Sequence, residues 1–90
     1  MKIHSMGNDT FAFFCPGCQA GHFFRAGGSE QPQWTWNLSY EKPTVTPSLM
    51  VNRGTSGQCH STINNGLILF HTDSHHELKG QTVEIPEWED

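Results

Sequence analysis

Ninety residues make one small domain, and with 34% of them hydrophobic the core is thin for that length. Five Lys and Arg against nine Asp and Glu leave a formal charge of −4, which disfavours any surface built to neutralise phosphates. No apolar run approaches the ~18–20 residues of a membrane span, and Met1-Lys2-Ile3-His4 does not open a secretory leader, so a soluble protein of the cytoplasm is expected.

In chain order, Thr10-Phe11-Ala12-Phe13-Phe14 is an apolar strand that runs into the turn Cys15-Pro16-Gly17-Cys18. Gly21 to Arg25 reads as its return strand, and the polar stretch 26–32 as an exposed loop. Trp34 to Leu38 alternates aromatic and polar residues, the period of a half-buried strand. Pro43 and Pro47 lack amide donors and place Thr44-Val45-Thr46 on an edge or in an extended loop. Ser48 to Val51 is a further strand, followed by the Gly-rich stretch 53–57. Cys59–Ile63 and Leu67–Phe70 flank Asn64-Asn65-Gly66, a strong hairpin signal because Asn-Gly accepts positive φ at little cost. Ser74 is placed to cap one helical turn, His75 to Leu78, with Glu77 as capping-box partner and Gly80 at its end. Gln81 to Ile85 alternates as a last strand, and 87–90 reads as a flexible acidic tail. The fold expected is mainly β. It is a single domain over 1–90, made of short antiparallel strands and hairpins, with a zinc knuckle and at most one or two short helical turns.

Such a composition, with nine Gly and five Pro, calls for a staple. Three cysteines cannot pair among themselves, so a bound metal fits better than a disulfide framework. Cys15 and Cys18, held two residues apart by Pro-Gly, aim both sulfurs at one point and form half of a tetrahedral Zn2+ site. Cys59 is the third ligand expected, with His60 the alternative, since neighbours on a strand face opposite ways and do not share one ion. His76 is the fourth ligand expected. His22, His71 and His75 compete with it, His22 by closing the site locally. A thioredoxin-like redox pair would open a helix after Cys18, and Gln19-Ala20-Gly21 does not.

Taken together, Cys-Pro-Gly-Cys, Trp34-Thr35-Trp36-Asn37, Lys42-Pro43-Thr44, Cys59-His60-Ser61 and Gly80-Gln81-Thr82-Val83 carry a resemblance to a family. The chain resembles, from about Phe13 to Pro86, small proteins encoded by tailed phages and prophages, some of which carry the label "ammonia monooxygenase". The resemblance implies a zinc-like ligand set on Cys15, Cys18, Cys59 and His76, an origin in a phage or prophage, and a place in the host cytoplasm. It implies no settled activity. In many relatives Cys stands at the position of Ser74, so this chain lacks that thiol. The monooxygenase label gains no support, because no open site of His and carboxylate ligands is specified.

Three functions compete on this reading. The first is a zinc-stabilised protein-interaction module without activity of its own, with a host or phage protein as partner and with Trp34, Trp88 or Met50 in the contact. The second is a metal-dependent hydrolase with one open zinc position and Glu77, Asp73 or His60 as general base. The third, nucleic-acid binding through the knuckle and the tryptophans, is opposed by the charge.

Overall fold

The computed structural model describes residues 1–88 and consists of strands and turns, with no helix among them. A first sheet holds β1 (His4–Gly7), β2 (Thr10–Cys15) and β3 (Ala20–Arg25). A second holds β4 (Thr35–Trp36), β5 (Val45–Val51), β6 (Cys59–Asn64), β7 (Leu67–Phe70) and β8 (Thr82–Glu84). Both are antiparallel meanders in which each strand pairs with the next. The fold class is therefore mainly β, as the composition implied. No described helix is long and apolar enough to cross a membrane.

Period-2 patterning decides which face is buried. Cys59, Ser61 and Ile63 of β6 point inward with Ile68 and Phe70 of β7, while His60, Thr62, Leu67 and Leu69 face outward. Phe13 and Phe24 of the first sheet meet Trp36, Val45, Leu49, Ile63, Ile68 and Phe70 of the second, with Ile3 and Ile85 closing the cluster. Cys15 and Cys59 lie in this same core, so the metal-ligand candidates continue the hydrophobic packing.

The β6–β7 turn forms as its sequence dictates. Asn65 and Gly66 both take positive φ (52° and 82°), which matches the twist of the flanking strands. The Trp34–Leu38 alternation yields only two strand residues. Asn37 diverts the chain by accepting from the Ser39 and Thr44 amides and donating to the Lys42 carbonyl, and Leu38 turns at φ 65°. The helical turn expected after Ser74 does not form, because the Ser74 hydroxyl is bonded to His60 and the His75 amide donates to Gln58 O. Glu87 and Trp88 of the acidic segment are tied back: Glu87 meets the N-terminal ammonium and Lys2, and the Trp88 amide donates to Met1 O. Its remaining residues, 89 and 90, lie outside the described range.

Candidate active site and metal centre

Two clusters sit on opposite faces of β6, one residue apart. The inward one begins at the knuckle. Cys15 ends β2, the Cys18 amide points at the Cys15 sulfur (3.4 Å), and Gln19 N closes the turn on Cys15 O (2.9 Å). Cys59 opens β6 with its sulfur 3.9 Å from Cys15 Sγ and 3.4 Å from His76 Nε2. The Leu78 amide donates to His76 Nδ1 (3.2 Å), turning Nε2 toward the sulfurs, and Phe70 packs edge-on against the ring. Gly17 makes this approach possible, since a Cβ there would lie 2.3 Å from the His76 ring. One donor atom from each of Cys15, Cys18, Cys59 and His76 falls within 4.8 Å of the others, close enough to hold one metal ion.

The thiols interact as a set. Cys15 is held down at about 4, chiefly by a hydrogen bond from Cys59, with His22 and the Cys18 amide adding to it against the cost of burial. Cys59, which gives that hydrogen bond and is also desolvated, is pushed up. Cys18 is raised by burial first and by the charge on Cys15 second. Three neighbouring sulfurs cannot all ionise unaided, whereas a divalent cation would favour three thiolates together. The donor set thus fits a soft-ligand metal.

The competing histidines lie elsewhere. His22 is buried behind Cys15, and its Nε2 has no nitrogen or oxygen partner among the described residues. Its proximity helps lower the Cys15 thiol, so it stands beside the cluster and is not one of its four members. His75 Nδ1 contacts Thr55 O (2.8 Å) and ties its loop to the β5–β6 connection. His71 Nε2 meets Thr62 Oγ (2.8 Å), and its ring stacks on that of His60 at 4.2 Å.

The outward cluster is built on His60. Its Nε2 lies 3.1 Å from Ser48 Oγ on β5, and its Nδ1 lies 3.0 and 3.1 Å from the two carboxylate oxygens of Asp73. This is the hydrogen-bonded order of nucleophile, base and orienting acid that activates a serine, recognised by geometry and not by chain order. Ser48 is exposed and Asp73 sits in the loop after β7. The supports are local. Ser74 Oγ accepts from the His60 amide and donates to His60 O (2.9 Å each), and Gln58 Nε2 holds Asp73 O at 2.7 Å. The sequence offers His60 as an alternative metal ligand and, with Asp73, as a base of a metal hydrolase; it does not single out Ser48. No G-x-S-x-G-like motif surrounds it. The usable signal was in β6 itself, where an inward Cys59 leaves His60 outward and without a ligand role.

Fold and site together describe a small all-β domain that carries a serine–histidine–aspartate relay beside a thiolate–imidazole cluster. The family model described as bacterial ubiquitination-like system serine protease (BubE) matches residues 1–71, and the chain belongs to that family. The matched segment contains Ser48 and His60, with Asp73 and His76 just beyond it. No curated protein and no solved structure matches the chain significantly.

Proposed function

We propose that this chain is a serine protease of a bacterial ubiquitination-like system, with Ser48 as nucleophile, His60 as general base and acid, and Asp73 as the group that orients and stabilises His60. The observation that carries the proposal is the continuous relay from Ser48 Oγ through the His60 ring to Asp73. Ser48 Oγ adds to a substrate carbonyl carbon as its proton passes to His60 Nε2. The bond to the leaving amine then breaks as His60 returns that proton to it. A water, deprotonated by the same nitrogen, then attacks the ester carbon; the bond to Ser48 Oγ breaks as His60 returns the proton to that oxygen, and the acyl group leaves as the free acid, which ionises in solvent.

In this proposal the metal is Zn2+ and its role is structural. Cys15, Cys18, Cys59 and His76 would hold the ion with protein donors alone, and three thiolates would weaken the Lewis acidity that a catalytic zinc needs. The metal holds Cys59 and His76, which stand one and three residues from His60 and Asp73. It thereby fixes the loop that delivers the aspartate. The relay favours this reading over an interaction module without activity. The phage or prophage origin implied by the motif resemblance is retained as a proposal about the source of the chain.

The test is covalent labelling. Wild-type protein treated with diisopropyl fluorophosphate should gain one diisopropylphosphoryl group on Ser48, found by peptide mass mapping, and Ser48→Ala should gain none. A wild-type protein that keeps its metal and melts cooperatively, yet stays unlabelled at Ser48, would overturn the assignment.

A further inference from the structure

The backbone of β5 has one open stretch, and it adjoins the nucleophile. β4 pairs with β5 only at Val45 and Thr46. Past that point β6 is the one paired neighbour of β5, opposite Leu49, Met50 and Val51. The direction of the Met50 main-chain groups follows from its partner, His60. The His60 amide donates to Ser74 Oγ, and its carbonyl accepts from the His71 amide and from Ser74 Oγ. Both groups of His60 are therefore committed toward β7. In an antiparallel ladder opposed residues exchange both bonds or neither, so Met50 and His60 are a non-hydrogen-bonded pair. The Met50 N–H and C=O then point away from β6, toward the uncovered edge, and no hydrogen bond reaches either from the described residues. Two positions earlier, where the β5–β6 register shifts between Val45 and Leu49, lies Ser48. Its carbonyl accepts from the Trp34 indole at 3.3 Å, so that position of the edge is filled.

We infer that an extended segment of the substrate polypeptide docks on this edge as an added antiparallel strand, pairing its main chain with the N–H and C=O of Met50. The inference rests on the serine-protease proposal and names the form in which that site takes its substrate. An unpaired donor and acceptor on a strand edge are a template for another chain. Here the template ends two residues from Ser48 Oγ. Trp34 blocks the next pairing position, which turns the added strand out of the sheet plane and over the outer face, where Ser48 and His60 meet. There is space beside the edge for alternate side chains. A cavity of about 530 Å³ begins at Val51 and Asn52, at the end of β5, and is walled by Ala20 and Gly21 of β3 and by Cys18 and His76 of the metal-ligand cluster. A second of about 320 Å³ is walled by Trp34, Pro32 and the exposed Phe23. Main-chain pairing is indifferent to side chains, so the edge selects for an unfolded or extended segment, and the two cavities set the preference within it.

The test compares reagents that share the chemistry at Ser48 and differ in length. A hexapeptidyl diphenyl phosphonate mixture with randomised side chains should inactivate the wild-type protein at least about tenfold faster than the acetylated single-residue phosphonate, the gain expected of two main-chain hydrogen bonds. Met50→Pro removes the edge-facing N–H, together with the methionine side chain, without removing a donor that the β6 ladder uses. It should lose most of that advantage, so that within the variant the hexapeptidyl and the single-residue phosphonate react at nearly equal rates. A second series, run on wild-type protein, places a backbone N-methyl group at successive positions of the hexapeptide; one position should abolish the advantage. Equal rates for long and short phosphonates, or an advantage that survives every N-methyl position, would overturn the edge-docking inference. Failure of diisopropyl fluorophosphate itself to label wild-type Ser48 would instead overturn the serine-protease proposal.

Discussion

Asp73 is exposed, yet both of its carboxylate oxygens reach His60 Nδ1. A carboxylate there accepts only, and so fixes the imidazole with its proton on Nδ1 and its lone pair on Nε2 facing Ser48. Asp73→Asn keeps the size and offers an amide that can hold the opposite tautomer. For the reaction proposed here, kcat should fall by roughly 10³–10⁴-fold, the order seen when a triad aspartate becomes asparagine, with the melting temperature close to wild type. Steady-state kinetics beside a thermal melt would check it, and a variant with unchanged kcat would remove Asp73 from the relay. The metal donors obey a different logic. Each sulfur is set by its neighbours, so Cys15 is already a thiolate at neutral pH while Cys18 and Cys59 keep their protons.

At the scale of elements, β6 and the loop after β7 act as one unit. Ser74, 1% exposed, clamps the His60 backbone with two hydrogen bonds, and Gln58, just before β6 and at the same end as His60, holds the Asp73 carbonyl. Ser74→Ala leaves the His60 amide without its partner, at a cost of about 1–3 kcal/mol. Because the lost bonds align the base, kcat should fall while KM changes little, and a chemical denaturation curve should show the stability loss. Equal changes in kcat and KM would speak against a positioning role.

Much of this unit was legible in the sequence. Asn65-Gly66 announced the hairpin, Cys-Pro-Gly-Cys the knuckle, and strand alternation parted Cys59 from His60. What could not be read were contacts made only by assembly. Ser48 and Asp73 stand 12 and 13 residues from His60 with no local motif to join them, and the relay exists because the β5–β6 register brings Met50 opposite His60. β1 escaped notice because Ser5, Met6 and Gly7 are exposed and carry no apolar alternation. The unformed helical turn is instructive in the same way: a serine that caps well in isolation found stronger partners across the fold.

For the whole molecule, the metal cluster joins the first sheet, through the knuckle, to the second, through Cys59 and His76. A structural zinc can contribute on the order of 10 kcal/mol, comparable to the entire stability of a domain this size. For the structural zinc proposed here, stripping the ion should therefore lower the melting temperature sharply and abolish labelling of Ser48 together with it, even though the proposed chemistry routes no step through the metal. The sign of the pH dependence follows from the thiols. Cys18 and Cys59 bind protons that a cation must displace, and Cys15 does not. Zinc uptake near pH 7 should then release about two protons, and affinity should rise with pH. Acidification on adding zinc to apoprotein in weak buffer would measure this, and uptake without proton release would contradict the thiol assignment.

The one-residue offset between Cys59 and His60 has a consequence for side reactions. Thiolates are stronger nucleophiles than serine, and an enzyme that formed an ester on Ser48 within reach of three sulfurs would risk passing that group to cysteine as a thioester trap. Cys59 is fully buried on the inner face, and Ser48 is exposed on the outer one. The sheet is the partition. In the proposed enzyme, a chain of 90 residues keeps two incompatible nucleophiles apart because Cys59 of β6 faces inward while Ser48 of β5 meets the outward His60 on the other face of the sheet.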